Sequence, residues 1–452
     1  MIFFLLLAVQ MASGQTTALS LSEAVERARK VYPAIAVSRS QVEAAAASIL
    51  LARTSFLPRV DSIAQVNRAT RNNLYGMLLQ QSVISPISGP PVLENSSASV
   101  FGSAVGLLVD WEPFDFGLRR SKVDFAESTR RRTEASVART QFEAGSAAAD
   151  AYLTILAAQE TVKAASASVE RSRVLMTAVE ALVRAELRPG ADAAVVRSEL
   201  ASAQAQVIRA RQAAADATAV LAGLTGEQPA NISIVEGKLL TLPAAAASRA
   251  PAQLSTNPFA QEQSAAIDEA KAKLKTFDRQ WAPKFSIQGT TYARGTGAKP
   301  DFTTLGGVNG LAPSFYNWGL GFAVKFPLLD HAPVRAMQAE QAAHVRTEES
   351  RHKLIVNELQ TRRNRALAAV AAARELVQLA PVQLESARVA ETQAQARYKA
   401  GLATLIEVAD TQRRLSQAEI DDGLARLNVW RGLLALYAAD GDLTPLLEQA
   451  GR

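Results

Sequence analysis

Residues able to do covalent or metal chemistry are few in this chain and badly spaced for it. The 452 residues include no cysteine. That excludes disulfides, thiolate metal sites, thiol catalysis and an N-terminal lipid-modified cysteine. The histidines are His331, His344 and His352. On a helix the last two stand about 80° apart around the axis and roughly 12 Å along it, too far to share one metal ion. No HExxH or similar ligand set accompanies them, no Gly-rich phosphate loop follows a strand, and no Ser-His-Asp constellation can be assembled. No catalytic, metal or cofactor site is therefore expected, and the histidines read as ordinary helix-surface residues. What remains is an acidic pair, Glu407 and Asp410, in the stretch KAGLATLIEVAD at 399–410. Their spacing sets both carboxylates on one helix face, just past a glycine, Gly401, that interrupts a helical pattern.

Composition describes the frame that must hold such a pair. Aromatic residues make up only 6% of the chain, and alanine dominates long stretches. This fits extended helices packed through small side chains better than a thick globular core. The net charge is +6, yet Arg and Glu are interleaved, and no basic patch is combined with aromatics, so a nucleic-acid partner is not expected. The start, MIFFLLLAVQMASGQTT, reads as a signal peptide over 1–14 with cleavage near Gln15. No other run reaches the ~18 apolar residues of a membrane helix.

The chain repeats one plan twice. Pro33 and Pro258 each open a helical segment that ends at a second proline, Pro58 and Pro283. Each is followed by period-two alternation, a polar Gly-rich segment (68–97 and 295–317) and a second alternating run. That run ends in an aromatic-Pro-Asp cluster, WEPFDFG at 111–117 or FPLLDHA at 326–332, with Asp115 and Asp330 suited to N-cap the helices that follow. Long helical patterns come next, interrupted at RPG (188–190) and KAG (399–401). In the strands, Trp318, Leu320, Phe322, Val324 and Phe326 share one face, as do Phe285 and Ile287, and Val105, Leu107, Val109 and Trp111. Bulky apolar residues on one side and small or polar ones on the other, over about 9–11 residues, mark a transmembrane β-strand and make these side chains lipid-facing.

Helix lengths agree with a duplicated rod. The stretch from Gly117 to Arg188 spans roughly 108 Å as a helix and that from Ala332 to Lys399 about 102 Å, while about 38 residues before Pro58 and about 37 from Gly190 to Gly226 are half as long. Each half then sets one long helix beside two short stacked ones, with coiled-coil-like packing. Pro381 should kink the second long helix. The expected division is helix over 15–58, β-hairpin over 59–111, and long and return helices over 112–226. An irregular connector over 227–256 then leads to helix over 257–283, β-hairpin over 284–327, long and return helices over 328–440, and a short tail over 441–452.

The ordered set of paired helices, four strands, Pro-Asp strand exits and glycine-centred helix turns resembles the TolC family of bacterial outer-membrane efflux ducts, over essentially the whole mature chain. The resemblance implies an α+β membrane protein, internally duplicated. It further implies three copies that give four strands each to a 12-stranded transmembrane β-barrel, continuous with a periplasmic α-helical coiled-coil barrel. Physics independently favours sharing between chains, because four strands cannot close and lipid tolerates no open sheet edge. Eight strands would largely fill with side chains, so twelve is the smallest count with a passage.

By the same resemblance, the hairpin tips Arg188-Pro189-Gly190-Ala191 and Lys399-Ala400-Gly401-Leu402 would dock a periplasmic membrane-fusion adaptor, which joins an inner-membrane transporter of RND or ABC type. Glu407 and Asp410 would line the periplasmic entrance as rings of acids, and Tyr398 would be a gating contact. Ala403 stands where the family has a linking arginine, and Val195 and Val196 where it has a Thr-Asp pair. Arg188, Asp192 and Arg197 offer a substitute network, though for surface charges the reading of no specific contact is preferred. The expected function is a passive outer-membrane conduit for efflux or export. The alternative is a secreted or periplasmic coiled-coil scaffold without transport.

Overall fold

The computed structural model describes residues 17–70, 98–243, 254–299, 301 and 303–451. The expected signal peptide and most of the polar segment 68–97 lie outside them. In chain order the elements are β1 (Thr17–Leu19), α1 (Leu21–Val31), α2 (Pro33–Thr54), β2 (Arg59–Thr70), β3 (Ser99–Phe114), α3 (Leu118–Arg184), α4 (Gly190–Thr225) and β4 (Ile232–Ile234). They continue with α5 (Pro258–Asp278), β5 (Lys284–Thr296), β6 (Phe315–Lys325), α6 (His331–Lys399), α7 (Leu405–Asp440) and α8 (Thr444–Gly451). The chain divides into two units, a strand unit (residues 43–131 and 266–348) and a helix unit (1–42, 132–265 and 349–452).

The strand unit holds one four-stranded sheet in the order β2-β3-β5-β6, with every neighbouring pair antiparallel. Because side chains alternate along a strand, the register sorts the sheet into two faces. Val109 is the cross-strand partner of Val60 and Gly289, Ile287 that of Trp111 and Phe322, and Thr291 that of Trp318. These residues share a face with Val105, Leu107, Phe285, Leu320 and Val324, and much of it is bare: Trp318 is 73% and Leu320 75% exposed. Among the described residues, β2 and β6 each pair on one side only.

A buried ion pair fastens the first return from sheet to helix. Arg119 Nε donates to Asp115 Oδ2 at 3.0 Å, its Nη1 to Ser55 O at 2.9 Å, and its Nη2 to Glu112 O. Its guanidinium lies over the Phe56 ring, and Trp111 Nε1 donates to Phe56 O at 3.1 Å. Asp115 also accepts the backbone N–H of Gly117 and Arg119, satisfying donors at the start of α3 from two residues before the N-cap position rather than as the expected N-cap itself. At the second return it is the Asp330 carbonyl that engages α6, accepting from Val334 N at 3.0 Å.

The helix unit is built around Trp430, Tyr152, Leu153, Leu156, Leu427, Leu433 and Leu446, all essentially without solvent contact. Here several expectations are corrected. The segment expected as one helix before Pro58 is two, α1 and α2, because Tyr32 precedes a proline and takes extended backbone (ψ 125°). The stretch expected as an irregular connector contains β4, which pairs in parallel with β1. Tyr152 holds that pairing: its hydroxyl lies 2.9 Å from Leu19 O and 2.6 Å from Val235 O, and accepts from Val235 N at 3.1 Å. The expected tail forms α8, whose Leu446 is fully buried. Pro381, expected to kink the second long helix, lies inside α6, which is helical on both sides of it. Finally, α2 and α6 each contain an 18-residue window of mean hydropathy 1.2, enough by length and composition alone to cross a membrane. Neither is an uninterrupted apolar run: alanine raises the mean hydropathy, and α2 carries Arg39 and Glu43 within it.

Candidate functional site

The sequence points to two helix turns in the helix unit, after α3 and after α6. Both have the same backbone. After α6, Ala400 N donates to Ala396 O at 3.1 Å, Gly401 N to Tyr398 O at 3.0 Å and Leu402 N to Arg397 O at 2.8 Å. After α3, Ala185 N donates to Ala181 O at 3.1 Å, Glu186 N to Val183 O at 3.1 Å and Leu187 N to Leu182 O at 2.9 Å. Each helix ends in one left-handed residue, Gly401 at φ 76° and Glu186 at φ 59°, with the six-to-one bond of a Schellman closure.

This corrects the expected tip register. Gly190 does not reverse the chain; it opens α4 behind the extended N-cap Pro189. Its counterpart is Leu405, which follows the N-cap Thr404 of α7. The structural partners are thus Ala185-Glu186-Leu187 and Ala400-Gly401-Leu402, both 215 positions apart, as are Asp115 and Asp330. Leu187 and Leu402, at the two crests, are 69% and 71% exposed. Thr404 Oγ1 caps α7 by accepting from Glu407 N at 3.3 Å. Lys399, Ala400, Pro189 and Ala191 are exposed around these turns.

In the same register Asp192 corresponds to Glu407, each an acid in the first turn of its helix, where the helix dipole favours negative charge. Val195 and Val196, expected in place of a polar pair, belong to the packing: Val196 is 1% exposed in a cluster with Val179, Ala394, Tyr398, Leu405 and Val408, flanked by Val195 and Ala403. The polar partners of Tyr398 are instead Arg188 and Asp192. Arg188 Nη2 donates to Tyr398 O at 3.0 Å, and its guanidinium lies 4.6 Å from the Tyr398 ring centroid. Tyr398 Oη donates to Asp192 Oδ2 at 3.4 Å. Burial, then the nearby Asp192 charge, pushes the Tyr398 phenol above its ordinary range. Arg188 and Asp192 therefore do make a specific contact, tying one hairpin to the other, while Arg197 pairs with Glu180 at 2.9 Å.

Glu407 and Asp410 are half-exposed, and each has an arginine. Arg397 Nη1 lies 2.9 Å from Glu407 Oε1, and Arg414 Nε 2.9 Å from Asp410 Oδ2. The two acids do share a helix face, but their charge is locally balanced. Away from the tip, Arg171 and Glu419 join the two hairpins by a two-pronged ion pair at 3.0 and 2.7 Å. Among the described residues, no three His, Cys, Asp or Glu side chains gather as a metal would require.

Comparison with known proteins follows from this geometry. The family described as "Outer membrane efflux protein" matches residues 24–227 and 251–442. The pyoverdine export outer membrane protein OpmQ of Pseudomonas aeruginosa is 23% identical over 406 residues, 89% of this chain and 81% of that protein. The cobalt-zinc-cadmium resistance protein CzcC of Cupriavidus metallidurans is 24% identical over 351 residues, 76% of this chain and 78% of that one. Among solved structures, the CmeC outer membrane channel of Campylobacter jejuni shares the fold with a TM-score of 0.73 at 16% identity, over 93% of this chain and 85% of that one.

Proposed function

The chain belongs to the outer membrane efflux protein family, and from that membership we propose that three copies assemble into one exit duct. The protein is an outer-membrane efflux channel that extends into the periplasm. In the proposed assembly each copy gives four strands to a 12-stranded barrel, and the helices form a periplasmic tunnel. A periplasmic membrane-fusion adaptor and an inner-membrane transporter of RND or ABC type complete the path, and the transporter supplies the energy.

One observation carries this reading: a sheet with a bare apolar face and two edges that no other described residue pairs. Trp318, Leu320, Phe322, Val324 and Phe326 are exposed in a single run, beside Val105, Leu107 and Trp111; together with Phe285, Ile287 and Val109 they suit contact with hydrocarbon. An open edge in lipid leaves backbone groups unsatisfied at several kcal/mol each, so further strands must close the ring. A secreted scaffold would need to hide both the face and the edges.

In the helix unit, the proposed adaptor grip is the pair of exposed crests Ala185-Glu186-Leu187 and Ala400-Gly401-Leu402, with Arg188, Pro189, Gly190, Ala191 and Lys399 around them. Glu407 and Asp410 are the proposed entrance acids. The bridge from Arg188 through Tyr398 to Asp192 is the proposed gating contact, in place of a linking arginine at 403. Extraction tests the whole reading. The full chain should leave membranes only with detergent, migrate as a trimer and conduct ions in planar bilayers. A stable monomer in plain buffer overturns it.

A further inference from the structure

The second face of the sheet carries an unbalanced charge. The strand register sets Arg59, Asp61, Asp110, Lys284, Arg294 and Lys325 on the face opposite the bare apolar one. Asp61 is taken up by Arg59, whose Nε lies 2.9 Å from its carboxylate. Asp110 is half-buried next to Gln288, its cross-strand partner, with Oδ1 lacking a hydrogen bond. Glu112 lies at the irregularity between Trp111 and Phe114.

Lys284 and Lys325 are different. They are direct cross-strand partners on β5 and β6, and both are exposed. Neither makes an ion pair with another described residue. Like charges set directly opposite one another on an antiparallel pair are destabilising, so the pairing is a local cost that packing does not explain. Both residues sit where the sheet meets its helices: Lys284 begins β5, six residues after α5 ends, and Lys325 ends β6, just before the turn into α6.

Resting on the duct reading, in which this face lines the passage, we propose that Lys284 and Lys325 form an anion-selecting collar. Three copies bring six ammonium groups to one level of a water-filled lumen, and rings of one charge sign set selectivity in such pores. The collar raises the local concentration of anions and lowers that of cations, most strongly for multivalent ions. The cargo class it fits is a solute bearing carboxylate or phosphate groups. A hydrated divalent metal cation is disfavoured.

The test uses the full-length protein in planar bilayers, comparing wild type with the Lys284→Gln, Lys325→Gln double variant. Reversal potentials are read across a KCl gradient at low salt, since the Debye length is about 10 Å at 0.1 M and longer below it. The variant's cation-to-anion permeability ratio should rise by a factor of about two to ten, and block by inorganic triphosphate added from the barrel side should weaken. Lys325→Gln alone, at the exposed end of an edge strand, gives the same sign if the double variant does not assemble. Lys325→Glu should move the ratio further still. Equal reversal potentials and equal triphosphate block in variants of unaltered conductance overturn the collar alone. Wild-type protein that forms no conducting pore overturns the duct reading with it.

Discussion

Position 401 takes a left-handed backbone that glycine adopts freely, and position 186 takes the same backbone with a glutamate. An L-residue other than glycine is strained there by about 1–2 kcal/mol. Glu186→Gly should therefore stabilise its turn by about 1 kcal/mol, and Gly401→Ala should destabilise its own by a similar amount. Gly190→Ala should be near neutral, because that residue is helical and a Cβ there meets no atom within 4 Å. Thermal loss of helical circular dichroism for the three variants checks the order. This turn also shows why sequence reading placed the tip wrongly. It matched glycine with glycine, whereas the backbone pairs Gly401 with a glutamate whose left-handed state no composition rule announces. At the same tip, Arg188→Ala removes a cation–π contact and a carbonyl bond worth together about 1–2 kcal/mol. If the bridge restrains the entrance, single-channel records should show the open fraction rising about five- to thirtyfold; an unchanged record removes Arg188 from gating.

Elements are held by buried polar groups at their ends. Arg119 satisfies Asp115 and two carbonyls at the exit from the sheet. Arg119→Met would leave the Asp115 carboxylate buried and uncompensated, a cost of about 3–5 kcal/mol. A sharply lower unfolding temperature in detergent is expected. Tyr152 plays the matching part between β1 and β4, and burial pushes its phenol up to about 12. The unfolded chain loses that proton at the ordinary value near 10, so the contribution is whole below that pH. It falls away as pH rises toward 12. Tyr152→Phe should cost about 1–2 kcal/mol at neutral pH and flatten the alkaline decline between those values. The strands were legible because alternation is a strong local signal. The β1–β4 pairing was not, since two three-residue strands more than 200 positions apart leave no periodic trace.

For the molecule as a whole, legibility followed duplication. Landmarks recurring in order pointed to the family, while alanine-rich helices hid which side each presents. Val195 and Val196, which stand where the family has a polar pair, thus turn out to pack: Val196 is core and Val195 flanks it. The acids at the proposed mouth test the consequence. Glu407→Ala with Asp410→Ala frees Arg397 and Arg414 from their partners, so the cation-to-anion permeability ratio should fall, by about twofold or more. That is the opposite sign to removing Lys284 and Lys325. Reversal potentials that do not move exclude Glu407 and Asp410 from the conducting path.

The unpaired margins of β2 and β6 also govern timing. A lone chain presents two rows of hydrogen-bonding groups that the hydrocarbon cannot accept, so no copy can enter the bilayer stepwise and wait for the others. Ring closure must precede insertion or coincide with it. The yield of membrane-embedded protein should then climb more steeply than linearly with the concentration of newly exported chain. At low supply, single chains would accumulate with their edges open to aggregation and proteolysis.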